Sequence, residues 1–121
     1  MDFNADKPIF RQIVDLCHSF ILAGDWQPGC KIPSVREMSI RLSVNTRTVV
    51  SAFDLLAAEG VISPQRGIGY YLCDDAPELV REALRRSFFA DTLPRVFAEM
   101  RQLGIDISKV DEEWDNLTNQ N

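Results

Sequence analysis

Two short helical stretches separated only by Ser43-Val44-Asn45 constrain this chain more than any other feature. Ser34-Val35-Arg36-Glu37 is a capping box. The Ser34 hydroxyl can accept from the N–H of Glu37, and the Glu37 carboxylate can reach back to the N–H of Ser34. The helix it opens is short, with Val35, Met38 and Leu42 facing inward. Ser43-Val44 is a tight connection, and Asn45 is a good N-cap for the next helix. There Val49, Ala52, Phe53 and Leu56 form an apolar stripe, and Gly60 supplies the stop. Helices joined this closely are neighbours in space.

The flanks complete a plan. Pro8 opens an earlier helix, in which Phe10, Ile13, Val14, Cys17, Phe20 and Ile21 recur at three- and four-residue spacing. Gly24-Asp25 ends it, Trp26-Gln27-Pro28-Gly29 reads as a turn, and Lys31-Ile32 as a very short strand before Pro33. Downstream, Val61 to Gln65 reads as a strand, with Pro64 pointing to an edge. Arg66 to Gly69 forms a flexible tip and Tyr70 to Cys73 the returning strand. Helix, short helix, tight turn, helix and hairpin is the order of a winged helix-turn-helix. In such a unit the third helix enters the major groove of DNA, and the hairpin reaches the neighbouring minor groove or backbone. The expected fold is mainly α with a small β-hairpin.

Composition sets the outer bounds. With 121 residues, the chain suits one compact domain or a small domain with an appendage. Its 45% hydrophobic and 26% charged residues are the balance of a globular protein. No apolar run approaches the roughly 20 residues of a membrane span, and Met1 to Asp6 has no basic, then apolar, leader pattern. Cys17, Cys30 and Cys73 form no CxxC pair, which is consistent with reduced thiols in a cytoplasm. One histidine, His18, is too few for a zinc site of ordinary spacing, so no metal or cofactor is expected.

Catalysis finds little support. Cys17 and His18 are adjacent, so on a helix they point about 100° apart, poor geometry for a nucleophile and its base. Gly67-x-Gly69 precedes a strand rather than a helix, unlike a phosphate-cradling loop. A winged helix used only for protein–protein contact is the more serious rival to DNA binding.

The net charge of −5 argues weakly against nucleic acid, but its distribution matters more. Cys30 to Tyr70 carries a charge of +2, whereas Ala98 to Asn121 carries −4. A recognition helix calls for small polar and basic residues at its start, and Asn45-Thr46-Arg47-Thr48 provides them. Arg47 can reach guanine O6 and N7 or a phosphate. Asn45 and Thr48 also read as a plain N-cap and a helix-surface residue. At the wing, Gly67 and Gly69 permit positive φ and close approach, and Arg66 supplies charge suited to a narrow minor groove.

These residues resemble the N-terminal domain of GntR-type bacterial transcription regulators. The resemblance rests on Pro8-Ile9-Phe10 with Gln12-Ile13, Gly24-x-x-x-Pro28-Gly29, and Lys31-Ile32-Pro33-Ser34-Val35-Arg36-Glu37. It continues through Val44-Asn45-x-x-Thr48-Val49, Ala52-Phe53-x-x-Leu56, Glu59-Gly60 and Arg66-Gly67-x-Gly69, covering roughly residues 7–73. It implies DNA contacts from Arg36, from Asn45, Thr46, Arg47 and Thr48, and from Gly67; Ser34, Arg66 and Gly69 are expected to contact DNA beside them. It departs at Val50 and Ser51, where many members carry arginine, and this throws weight on Arg47 and Arg36.

Beyond Cys73 the chain is too short for the larger ligand-binding domains of the family. It is similar to the YtrA-type subfamily, whose short helical tail mainly dimerises. Residues 1–75 are therefore expected to bind double-stranded DNA, and 76–121 to form a helical dimerisation tail, with Asp74 to Pro77 as the boundary. Leu79, Leu84, Phe88, Phe89, Phe97, Met100 and Trp114 are the expected homodimer contacts, because two helices cannot hide them alone. Any small-molecule effector would use a pocket beside this tail or between subunits. Asp91-Thr92 before Leu93-Pro94 predicts a stop or kink, Ser108 to Asp111 a last capping signal, and Thr118 to Asn121 a frayed end.

Overall fold

A computed structural model describes Phe3 and residues 5–119. Met1, Asp2, Asn4, Gln120 and Asn121 lie outside the described residues, so the expected frayed end and the leader reading fall partly beyond them. The chain divides into two compact units, Met1–Ala83 and Leu84–Asn121.

The first unit opens with α1 (Ile9–Ala23), which follows Pro8 and stops at Gly24 in the left-handed conformation (φ 82°). Its inner face, Ile13, Val14, Cys17 and Ile21, is fully buried. A turn closes from the N–H of Cys30 to the Gln27 carbonyl at 3.1 Å. Pro28 and Gly29 hold its middle positions, with Gly29 at φ 80°, the arrangement a type II turn favours.

Helix α2 (Val35–Leu42) carries the full capping box at Ser34 and Glu37. The link to α3 (Thr46–Ala58) passes through Ser43 at φ 54°, the one non-glycine residue with positive φ among those described. Asn45 caps α3 by accepting from the N–H of Arg47 at 2.9 Å. Val49, Ala52, Phe53 and Leu56 are fully buried against α1 and α2. A stripe of four such residues at helical spacing fixes which side of α3 remains outside.

The wing is an antiparallel pair of β1 (Ile62–Gln65) and β2 (Gly69–Leu72), in register from Ile62 opposite Leu72 to Gln65 opposite Gly69. Pro64 lies on β1, whose outer side is unpaired, a position where a missing N–H costs little. Residues Gly29 to Ile32 run along the other side of β2, with Lys31 bridging Tyr71. Phe53 of α3 meets Tyr70 of β2 edge to face, centroids 5.0 Å apart, which ties the wing to the helix it accompanies.

Helix α4 (Ala76–Ser87) begins inside this unit. Ala76 and Val80 are buried in its core, and Leu79 packs against that core. A π-helical turn (Phe88–Thr92) follows, in which the Leu93 N–H bonds the Phe88 carbonyl five residues back. It leads into α5 (Leu93–Leu103), with Pro94 in the first turn. The expected stop before Pro94 is thus a change of hydrogen-bond register: the looser turn passes over the proline without ending the helix. Helix α6 (Ile107–Thr118) starts after Asp106, two residues earlier than the Ser108 signal predicts, because Asp106 is the extended residue there (φ −91°, ψ 150°). No described residue from Leu84 onward is buried.

Candidate nucleic-acid interface

The start of α3 is the centre of the site. The buried stripe turns Thr46, Arg47, Val50, Ser51 and Asp54 to the outside, and all five are exposed. Asn45 spends its carbonyl oxygen on the Arg47 N–H and keeps its amide donors for another partner. Thr48 is half-buried at the edge of the stripe. Arg47, Thr48 and Ser51 line an open groove of about 340 Å³ together with Ile9 and Phe10 from the start of α1. The Ser51 hydroxyl donates back to the Arg47 carbonyl at 3.2 Å.

Ser34 and Arg36 stand at the start of α2. The Ser34 hydroxyl accepts from the Glu37 N–H at 3.1 Å, and the Ser34 N–H donates to the Glu37 carboxylate at 3.2 Å. These bonds hold the Glu37 carboxyl below the usual carboxylate range, helped by Arg41 and Lys31 nearby. Arg36 is exposed one position from this cap.

At the wing, the N–H of Ile68 closes a turn on the Gln65 carbonyl at 3.0 Å. Gly67 occupies the third position of that turn at φ 76°, where a side chain would be strained although nothing stands within 4 Å of it. Gly69, at φ 135°, lies under the Lys31 side chain: a Cβ there would come within 3.0 Å of Lys31 Cε. Lys31 thus lies against the wing while its charge acts on Glu37 of the α2 cap. The position of Lys31 over Gly69 follows from the pairing of its short strand with β2, a signal the sequence carries only as Lys31-Ile32 before Pro33.

Among the described residues, Arg36, Arg47 and Arg66 make no ion pair. Of the acids in the same segment, Glu37 is turned into the α2 cap, and Glu59 approaches His18 Nε2 at 3.3 Å. Asp54 remains, two turns along α3 from Arg47. The structure therefore gathers Asn45, Thr46, Arg47 and Thr48 at one helix start, and lays the Lys31 side chain against Gly69. Arg66 stands at the wing tip, with no ion pair among the described residues. Among the described residues, no group of histidines, cysteines or carboxylates could hold a metal ion.

Residues 10–72 match the family described as bacterial regulatory proteins, gntR family. The chain belongs to that family. Its relatives include the HTH-type transcriptional repressor YtrA of Bacillus subtilis (strain 168), 30% identical over 94% of this chain and 86% of that protein. A gntR-family transcriptional regulator from Listeria monocytogenes has a solved structure with TM-score 0.79 and 31% identity, covering 94% of this chain and 98% of that one. The DNA-binding domain of AraR, solved in complex with operator ORX1, shares the fold at TM-score 0.56 and 23% identity, over 60% of this chain and 93% of that domain. The gntR chain is accordingly a winged-helix, DNA-binding regulator of transcription, and its family and relatives are regulators rather than enzymes. Among the described residues, no helix is long and apolar enough to cross a membrane.

Proposed function

We propose that this gntR-family chain is a homodimeric, sequence-specific repressor that binds an inverted-repeat operator in the cytoplasm. The observation that carries the reading is the start of α3. There an unpaired arginine stands beside a capping asparagine with free amide donors, on a face that the core leaves wholly outside. Asn45, Thr46, Arg47 and Thr48 enter the major groove. Ser34 and Arg36 meet the backbone, and Arg66, Gly67 and Gly69 follow the adjacent minor groove. Residues 1–75 supply these contacts and 76–121 the partner subunit.

The dimer half of the reading rests on exposed apolar side chains: Leu84 and Phe88, and Val110 and Trp114, each four residues apart, with Val96 and the adjacent Phe97 on α5. Phe89 is exposed beside Phe88, with the two rings edge to face at 5.3 Å. Helices with an apolar stripe and no buried residue need a surface to cover them, and Met100 lies on the same stripe. Leu79 serves the winged core as well.

The test is enrichment of duplexes from a randomised pool by the full chain, followed by sedimentation. An inverted repeat bound by two chains is the expected product, because operator symmetry follows protein symmetry. A stable monomer at micromolar concentration, with one half-site bound per chain, contradicts it.

A further inference from the structure

We infer that Val50 reads the 5-methyl group of a thymine in each operator half-site. The inference deepens the DNA-binding reading and rests on it. Val50 is 40% exposed on the outer side of α3, one turn beyond Arg47. Successive residues on a helix are about 100° apart, so Val50 lies about 60° from Arg47 around the axis and on the same outer face. Nothing within the chain asks for an apolar, β-branched side chain there: the buried stripe is already complete with Val49, Ala52, Phe53 and Leu56.

The neighbours leave little polar readout to this part of the helix. The Ser51 hydroxyl gives its proton to the Arg47 carbonyl. Asp54, exposed further along, repels phosphate and can only accept. Val50 can neither donate, accept nor attract a phosphate. Of the groups that base pairs present in the major groove, only the thymine methyl is apolar. An exposed pair of methyls on a recognition helix has that one complement. The rise from Arg47 to Val50 is about 4.5 Å, between one and two base steps of about 3.4 Å. The thymine therefore lies within about two base pairs of the one whose preference depends on Arg47.

The experiment uses the full chain and the duplex it enriches. Each thymine of a half-site is replaced in turn by deoxyuridine, which removes only the methyl group, and affinity is measured by fluorescence anisotropy. One position should lose affinity about fourfold, the worth of a single buried methyl group. Val50→Ala should bind the thymine and deoxyuridine duplexes equally, while its far-ultraviolet circular dichroism stays that of the parent. Equal affinity for every deoxyuridine duplex, discrimination that survives in Val50→Ala, or a half-site with no A·T pair near the Arg47-dependent position would overturn the inference and leave the DNA-binding reading standing. A pool that never enriches would overturn both.

Discussion

A guanidinium with no internal partner can exchange its hydration for a phosphate or a base edge without breaking anything in the fold. Arg36 and Arg47 are both in this state, but they sit on different helices and should fail differently. Arg47→Ala is expected to cost about 1–3 kcal/mol on the selected site and to relax its preference at one position. Arg36→Ala should weaken all duplexes alike and reduce the slope of log affinity against log salt by about one. Binding isotherms at several salt concentrations separate the two, and unchanged affinity in both variants would remove the basis for the interface. A different residue reports on the core. Burial pushes the Cys17 thiol up from 9.0 to about 12. In the unfolded chain the thiol ionises first, so the unfolded state holds fewer protons between those values. Its contribution to stability is full below pH 9 and is lost as pH rises toward 12. Urea titrations across that window should show a steeper alkaline loss in the parent than in Cys17→Ala. At neutral pH an alkylating reagent should label exposed Cys30 well before Cys17.

Among the elements, those that place the site were legible because short-range chemistry fixes them. Ser34 and Glu37 are three apart, and a capping box depends on nothing else. The stripe Val49, Ala52, Phe53 and Leu56 decided the outer face of α3 for the same reason. The π-helical turn at Phe88–Thr92 was not legible, since Leu93 bonding to Phe88 rather than Phe89 is a choice of register that side-chain spacing does not record. Nor was the start of α6, where Asp106 and Ser108 are both cap-type residues and backbone conformation chooses between them. Lys31 was missed because its place beside Gly69 arises from strand pairing between segments distant in sequence. Two substitutions follow at this scale. Ser34→Ala should lower stability by about 1 kcal/mol through loss of the α2 cap, as measured by thermal melting. Gly67→Ala places a side chain at φ 76° in open space. It should strain the wing turn by about 1–2 kcal/mol and weaken DNA binding beyond what the melting temperature explains.

For the molecule as a whole, the two units differ in what they bury. Met1–Ala83 holds the entire core, from Ile13 to Val80, whereas no described residue of Leu84–Asn121 is buried. The helical unit thus has its stripes without a core, the surface that a second copy of the chain would cover under the proposed dimer. Acid is concentrated from Ala98 onward, at −4, whereas Cys30 to Tyr70, which holds Arg36, Arg47 and Arg66, carries +2. A chain with a net charge of −5 can therefore still present cations to phosphate from the segment Cys30 to Tyr70. Replacing Phe97 and Trp114 by serine should leave the winged core intact but convert the dimer to a monomer that holds a single half-site weakly. The most direct test of the account is the stoichiometry and symmetry of the enriched complex, read by analytical ultracentrifugation of the full chain with its selected duplex. The account predicts two chains on one inverted repeat, with a half-site duplex binding at least tenfold more weakly. One chain on an asymmetric site, at the same affinity as the half-site, would contradict it.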